Sequence, residues 1–107
     1  MPYKIRYAPK ARQDMDEVWD GVLEASRETE AANRYVEDFA DKIAEKKFFP
    51  NSGIPLYYRG LFTGFYSLNF KAYKVFYRVM EEYIEVIRII PMKRDYMRIL
   101  FGEFEGE

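Results

Sequence analysis

The sequence predicts an α+β fold of order β-α-α-β-β-β with a short C-terminal helix, a helical hairpin packed on a mainly antiparallel sheet. Apolar residues recur at helical spacing through residues 9–47, strand-like alternation occupies residues 3–7 and three runs between 61 and 90, and the connections are short. A chain of 107 residues accommodates one domain, residues 1–107, with enough surface to bury a core of its own.

Tyr3-Lys4-Ile5-Arg6-Tyr7 alternates apolar and cationic residues and reads as a short strand with one dry face. Pro9 suits the first turn of a helix, although Ala8 is a poor N-cap. Ala11, Met15, Val18, Trp19 and Val22 form its apolar stripe, with Asp14, Glu17, Glu24 and Arg27 expected on the solvated side. Gly21 costs that helix about 1 kcal/mol relative to alanine and would admit a closely approaching neighbour. A break at Ser26–Thr29, with Thr29 as N-cap, leads to a second helix striped by Ala32, Val36, Phe39, Ala40 and Ile43. So short a connection makes the two helices antiparallel neighbours. Pro50-Asn51-Ser52-Gly53 ends the pair, and residues 54–60 read as a loop.

Three strands follow, at 61–70, 73–80 and 83–90. Lys71-Ala72 and Glu81-Glu82 are short enough for hairpin turns, so the three form a meander. Strict alternation would place Ile84, Val86, Arg88 and Ile90 on one face of the last strand, which Pro91 terminates. Residues 92–101 suit a terminal helix that covers the sheet with Ile99, Leu100 and Phe101.

Composition excludes much chemistry. Without cysteine or histidine there is no disulfide, no thiolate nucleophile, no zinc site of the usual kind and no Ser-His-Asp triad. No glycine-rich phosphate loop precedes a helix, and Asp14, Asp16, Glu17 and Asp20 point around their helix rather than to one metal. Neither a cofactor nor a metal is expected. No leader-like or membrane-length apolar run occurs, so the expected setting is the cytoplasm, with no membrane partner. The net charge of −1 is unevenly spread: residues 1–53 carry −2, residues 54–101 carry +4, and the tail adds Glu103, Glu105 and Glu107. The positive stretch holds Arg59, Lys71, Lys74, Arg78, Arg88, Lys93, Arg94 and Arg98, a patch compatible with an anionic partner.

Two constellations stand out. Arg88 lies among apolar strand residues, and burying a guanidinium is costly unless it is paired. It is either a structural partner of a helix carboxylate or a functional cation. Lys93-Arg94-Asp95-Tyr96 could hold phosphate and stack a base, or could be the exposed start of the terminal helix with Asp95 near its N-terminus.

Four segments, in order, resemble the RelE/ParE superfamily of bacterial type II toxin–antitoxin toxins across nearly the whole chain. They are Ala8-Pro9-Lys10-Ala11 with Asp14-Met15-Asp16-Glu17-Val18-Trp19, Phe49-Pro50-Asn51-Ser52-Gly53, Tyr73-Lys74-Val75-Phe76-Tyr77-Arg78-Val79, and Arg88-Ile89-Ile90 followed by Lys93-Arg94-Asp95-Tyr96. The resemblance implies a growth-inhibiting toxin, of the kind that stabilises plasmids, neutralised by a cognate antitoxin. RelE-like members cut mRNA on the ribosome and ParE-like members inhibit DNA gyrase. In the nuclease case it implies Lys74, Arg94 and Tyr96 as catalytic groups of a metal-independent endoribonuclease. Lys71, Arg78, Arg88, Lys93 and Arg98 would then bind RNA or another target. Pro91 stands where the family often has histidine, and Tyr66 where it often has arginine. Together with Trp19 and the modest basicity, these departures lean toward the ParE-like inhibitor. An inert interaction domain on the same scaffold is the third alternative.

Overall fold

A computed structural model describes residues 2–105, with side chains described to residue 102. The acidic tail residues Glu103, Glu105 and Glu107 therefore fall outside the described side chains. Element order is β1 (Lys4–Tyr7), α1 (Pro9–Ser26), α2 (Thr29–Ala44), β2 (Ile54–Tyr58), β3 (Leu61–Phe70), β4 (Tyr73–Val79), β5 (Tyr83–Pro91) and α3 (Tyr96–Glu105). Five strands form one mixed sheet ordered β1-β5-β4-β3-β2, antiparallel except where β1 runs parallel to β5. The predicted α+β class and the helical hairpin on the sheet are what the chain adopts.

The hairpin reverses at Arg27, whose left-handed backbone (φ 62°) lets its N–H bond the Leu23 carbonyl. Glu28 rather than Thr29 is the N-cap position of α2; its N–H donates to the Ser26 hydroxyl, so the serine closes the turn that the threonine was expected to cap. Across the helices, the Trp19 indole N–H donates to Asn33 Oδ1 at 2.8 Å. Gly21 has no atom near the position of an added Cβ, so the expected close approach is absent there. Ala11, Val18, Phe39 and Ile43 drive into the sheet against Leu68, Val75, Tyr77, Ile84, Val86 and Ile89. Ala40 instead turns outward and lines a groove beside β1.

Residues 54–58, expected as loop, form edge strand β2. The edge tolerates Pro55, which has no N–H to give a second neighbour. A two-residue turn joins β2 to β3 at Arg59 and Gly60, both with positive φ (54° and 81°), the conformation that matches strand twist in a tight hairpin. The terminal helix starts at Tyr96, later than expected, because Asp95 accepts the Arg98 N–H at 3.1 Å and caps it. It covers the second face of the sheet, where Phe101 stacks on Tyr58 with ring centroids 4.6 Å apart and Tyr96 packs on Phe76 at 5.3 Å.

One irregularity reorganises the last strand. Phe76 pairs with Arg88 but Tyr77 pairs with Val86, leaving Ile87 as the extra residue of a β-bulge. Ile84 and Val86 therefore share the hairpin-side core with Ile89, while Arg88 and Ile90 switch to the register of Phe76 and Lys74. The expected single face of Ile84, Val86, Arg88 and Ile90 does not exist.

Candidate functional site

Parallel β1 covers β5 only as far as Val86, and the Ala8 N–H then bonds the Val86 carbonyl as the chain turns into α1. Beyond that point the edge of β5 would be left without partners. Asp14 fills the gap: its Oδ2 accepts the Ile89 N–H at 2.9 Å and the Arg88 Nε–H at 2.8 Å, and Oδ1 accepts from Arg88 Nη2 at 3.1 Å. Asp14 is 7% exposed, which overturns its expected place on the solvated side of α1. Of the two readings of Arg88, the structure contains the ion pair with a helix carboxylate. A carboxylate taken out of water needs such partners, and this one has three hydrogen bonds.

The other predicted cations divide into spent and free. Arg78 forms a fork with Glu85, 2.8 and 2.7 Å from one carboxylate oxygen. Lys71 sits 4.0 Å from Asp38 and 4.3 Å above the centre of the Tyr35 ring. Lys74 donates to Asn69 Oδ1 at 2.8 Å and lies 5.5 Å from the Tyr96 ring centre. Among the described residues, Lys93, Arg94 and Arg98 make no side-chain hydrogen bond or ion pair, and all three are exposed. Lys93 and Arg94 lie in the turn after β5, where the Arg94 N–H bonds the Pro91 carbonyl.

Lys74 and Tyr96 are thus brought together on the α3 side of the sheet. Arg94 lines a separate cleft of about 260 Å³ with Asp14, Glu17, Tyr73, Arg88 and Ile99, to which neither Lys74 nor Tyr96 contributes. In that cleft the Asp14 and Glu17 carboxylates offset the two guanidiniums. Its chemistry is that of a balanced polar niche rather than a phosphate clamp. Among the described residues, no group of three or more Asp or Glu side chains could hold a metal ion. No helix among them is long and apolar enough to cross a membrane.

Sequence reasoning missed a run of exposed apolar side chains. Phe48, Phe49, Ile54, Tyr57, Leu61 and Phe62 are all roughly half or more exposed, and all six lie between residues 48 and 62. Rings run in contact from Tyr57 of β2 to Phe62 (5.8 Å) and Tyr66 (5.4 Å) of β3 and on to Tyr77 of β4 (5.7 Å). Burial raises the Tyr77 phenol to about 12, its hydroxyl donating to the Pro50 carbonyl at 2.8 Å. The apolar run Ile54-Pro55-Leu56-Tyr57-Tyr58 was the available signal, obscured by Pro55 and by an Arg-Gly turn that resembles no standard hairpin dipeptide. A second opening runs beside edge strand β1. Grooves of about 700 and 470 Å³ there share Tyr7 and Ala40, with Ile5 and Ala44 in one and Met15 and Val36 in the other.

Comparison with known proteins places this arrangement. The family described as the ParE toxin of type II toxin–antitoxin systems, parDE, matches residues 5–96. Among solved structures, the chromosomal ParDE system of P. aeruginosa superimposes with a TM-score of 0.68 at 20% identity, covering 83% of this chain and 95% of that one. The RelBE2 toxin–antitoxin complex of Mycobacterium tuberculosis gives 0.58 at 22% identity, covering 85% and 99%. A YoeB/ParE toxin of Agrobacterium tumefaciens gives 0.58 at 22%, covering 82% and 96%. At these identities the likeness is one of fold. No curated protein sequence gives a significant match. The match over residues 5–96 shows that the chain belongs to the ParE family of type II toxin–antitoxin toxins.

Proposed function

We propose that this toxin is held inactive by a cognate antitoxin and, when released, inhibits DNA gyrase by binding it rather than by cutting RNA. One observation carries the choice of mechanism. Three of the candidate RNA-binding cations are committed within the fold, Arg88 to Asp14, Arg78 to Glu85 and Lys71 to Asp38, and Arg94 lies in a cleft to which Lys74 and Tyr96 do not contribute, whereas large apolar side chains are exposed. Neutralised cations bind phosphate weakly, while exposed rings are the anchors of protein interfaces. The grooves beside β1 suit an antitoxin segment, since an edge strand next to an apolar trough can accept an extended chain. The P. aeruginosa and M. tuberculosis neighbours come from toxin–antitoxin systems, which supports such a partner.

The test is induced expression without the antitoxin, comparing plasmid topology with mRNA integrity. Relaxed plasmid, a DNA-damage response and intact mRNA are expected; cleaved mRNA with normal supercoiling would sink the gyrase reading. The nuclease alternative has its own support in the pairing of Lys74 with Tyr96. It requires cleavage that disappears in Lys74→Ala, Arg94→Ala or Tyr96→Phe. Absence of any growth defect would favour an inert interaction domain.

A further inference from the structure

We infer that the hairpin-side face of β2 and β3, together with Phe49, is the surface that grips the toxin's target, and that its occupant is an acidic protein segment with apolar anchors. This rests on the reading that the toxin acts by binding a protein. Among the described residues, none between Ile54 and Tyr66 is fully buried, so the two helices leave this end of the sheet open. Tyr57 and Phe62 form its centre, 57% and 47% exposed, and face each other across the strand pair. Through Tyr66 and Tyr77 they connect to the loop at Pro50, beside which Phe49 is 71% exposed. On the opposite face of the same hairpin Tyr58 is covered by Phe101 of α3. The rings of Tyr57 and Phe62 are therefore on the side of the strand pair that the helices leave open, whereas Tyr58 on the other side is packed within the fold.

Charge selects the occupant. Between Glu45 and Glu81 the chain has no acidic residue to repel such a segment, and with Lys71 and Arg78 already paired to Asp38 and Glu85, the positive charge offered beside the rings is that of Lys46 and Lys47. Lys46 and Lys47 adjoin the two exposed phenylalanines, and Lys46 bonds only a neutral hydroxyl, Ser52 Oγ at 2.9 Å. Apolar rings flanked by cations complement a segment that offers aliphatic side chains between carboxylates. A single-stranded nucleic acid also likes rings and cations, but Phe49 and Phe62 expose surface with no hydrogen-bonding atom to read a base, and the protein partner is favoured. Self-association through the same rings would bring Lys46 and Lys47 of two copies together, which opposes it.

The experiment compares the intact toxin with Tyr57→Ser/Phe62→Ser and with Lys46→Glu, after thermal melting has shown that each folds. Tyr57 and Phe62 are exposed and Lys46 flanks the exposed surface, so folding should survive. Binding to gyrase holoenzyme, binding to the antitoxin and growth arrest on induction are measured side by side. The inference expects each variant to lose about tenfold or more in gyrase affinity, with arrest abolished and antitoxin affinity within about threefold of the parent. Gyrase affinity unchanged in the ring variant overturns it, as does an equal loss of antitoxin affinity, which would make the face the antitoxin's. If the parent toxin does not bind gyrase, the proposed target fails separately. Loss of arrest in the ring variant then still supports the surface, and retained arrest overturns it. Tight binding of a single-stranded oligonucleotide that the ring variant loses would overturn the protein assignment.

Discussion

Asp14 holds together three parts of the molecule at once: α1, the edge of β5 and the Arg88 guanidinium. Removing one member of a buried pair leaves the other charged and desolvated, a cost of about 3 kcal/mol or more. Asp14→Ala should therefore lower the melting temperature by roughly 10 °C or more, measured by calorimetry. Pairing it with Arg88→Met should cost clearly less than the two single changes added together, because the second substitution removes the stranded charge. Tyr77 makes a different kind of residue-scale prediction. Its folded pKa is raised to about 12, chiefly by desolvation, above the usual phenol value of about 10. The contribution to stability is therefore complete below pH 10 and is lost as pH rises from about 10 toward about 12. Alkaline unfolding of Tyr77→Phe should lack that component, and identical alkaline profiles for the two proteins would refute the assignment. Gly53 belongs to the same cluster, since an added Cβ would overlap the Tyr77 hydroxyl and come within 3.0 Å of the Ser67 carbonyl.

At the scale of elements, β2 and α3 complete opposite sides of one hairpin. The Arg59-Gly60 turn sets its register, and Gly60 at φ 81° is where a side chain is least welcome. Gly60→Ala should destabilise the protein by about 1 kcal/mol while leaving the helices intact, which urea unfolding with far-ultraviolet circular dichroism would show. The terminal helix supplies the other half of the cover, placing Tyr96 on Phe76 and Phe101 on Tyr58. The helical hairpin and the β3-β4-β5 meander were legible because their apolar periods of 3.6 and 2 are long and uninterrupted. Strand β2 was not, because five residues including a proline give too little alternation to separate edge strand from loop. The bulge at Ile87 was equally hidden: no residue type announces it, and it is imposed by pairing with β4.

For the molecule as a whole, charge distribution separates its surfaces. The helices carry most of the acid, while residues 46–80 carry none. Association with an acidic target through that stretch should weaken as salt rises, since exposed charges about a Debye length apart are screened. An affinity that falls severalfold between low and physiological salt, with antitoxin affinity less affected, is the expected outcome by titration calorimetry. Sequence alone was sufficient for the α+β class, the element order around the hairpin, the family resemblance and the absence of any histidine- or cysteine-based mechanism, because these depend on local period and residue type. Only the tertiary structure decided which cations are free and where the apolar surface lies open. Arg88 and Lys93 look alike in sequence, yet one is clasped by a carboxylate 74 residues away and the other is bare. That difference arises from packing between distant segments, which local sequence does not encode residue by residue.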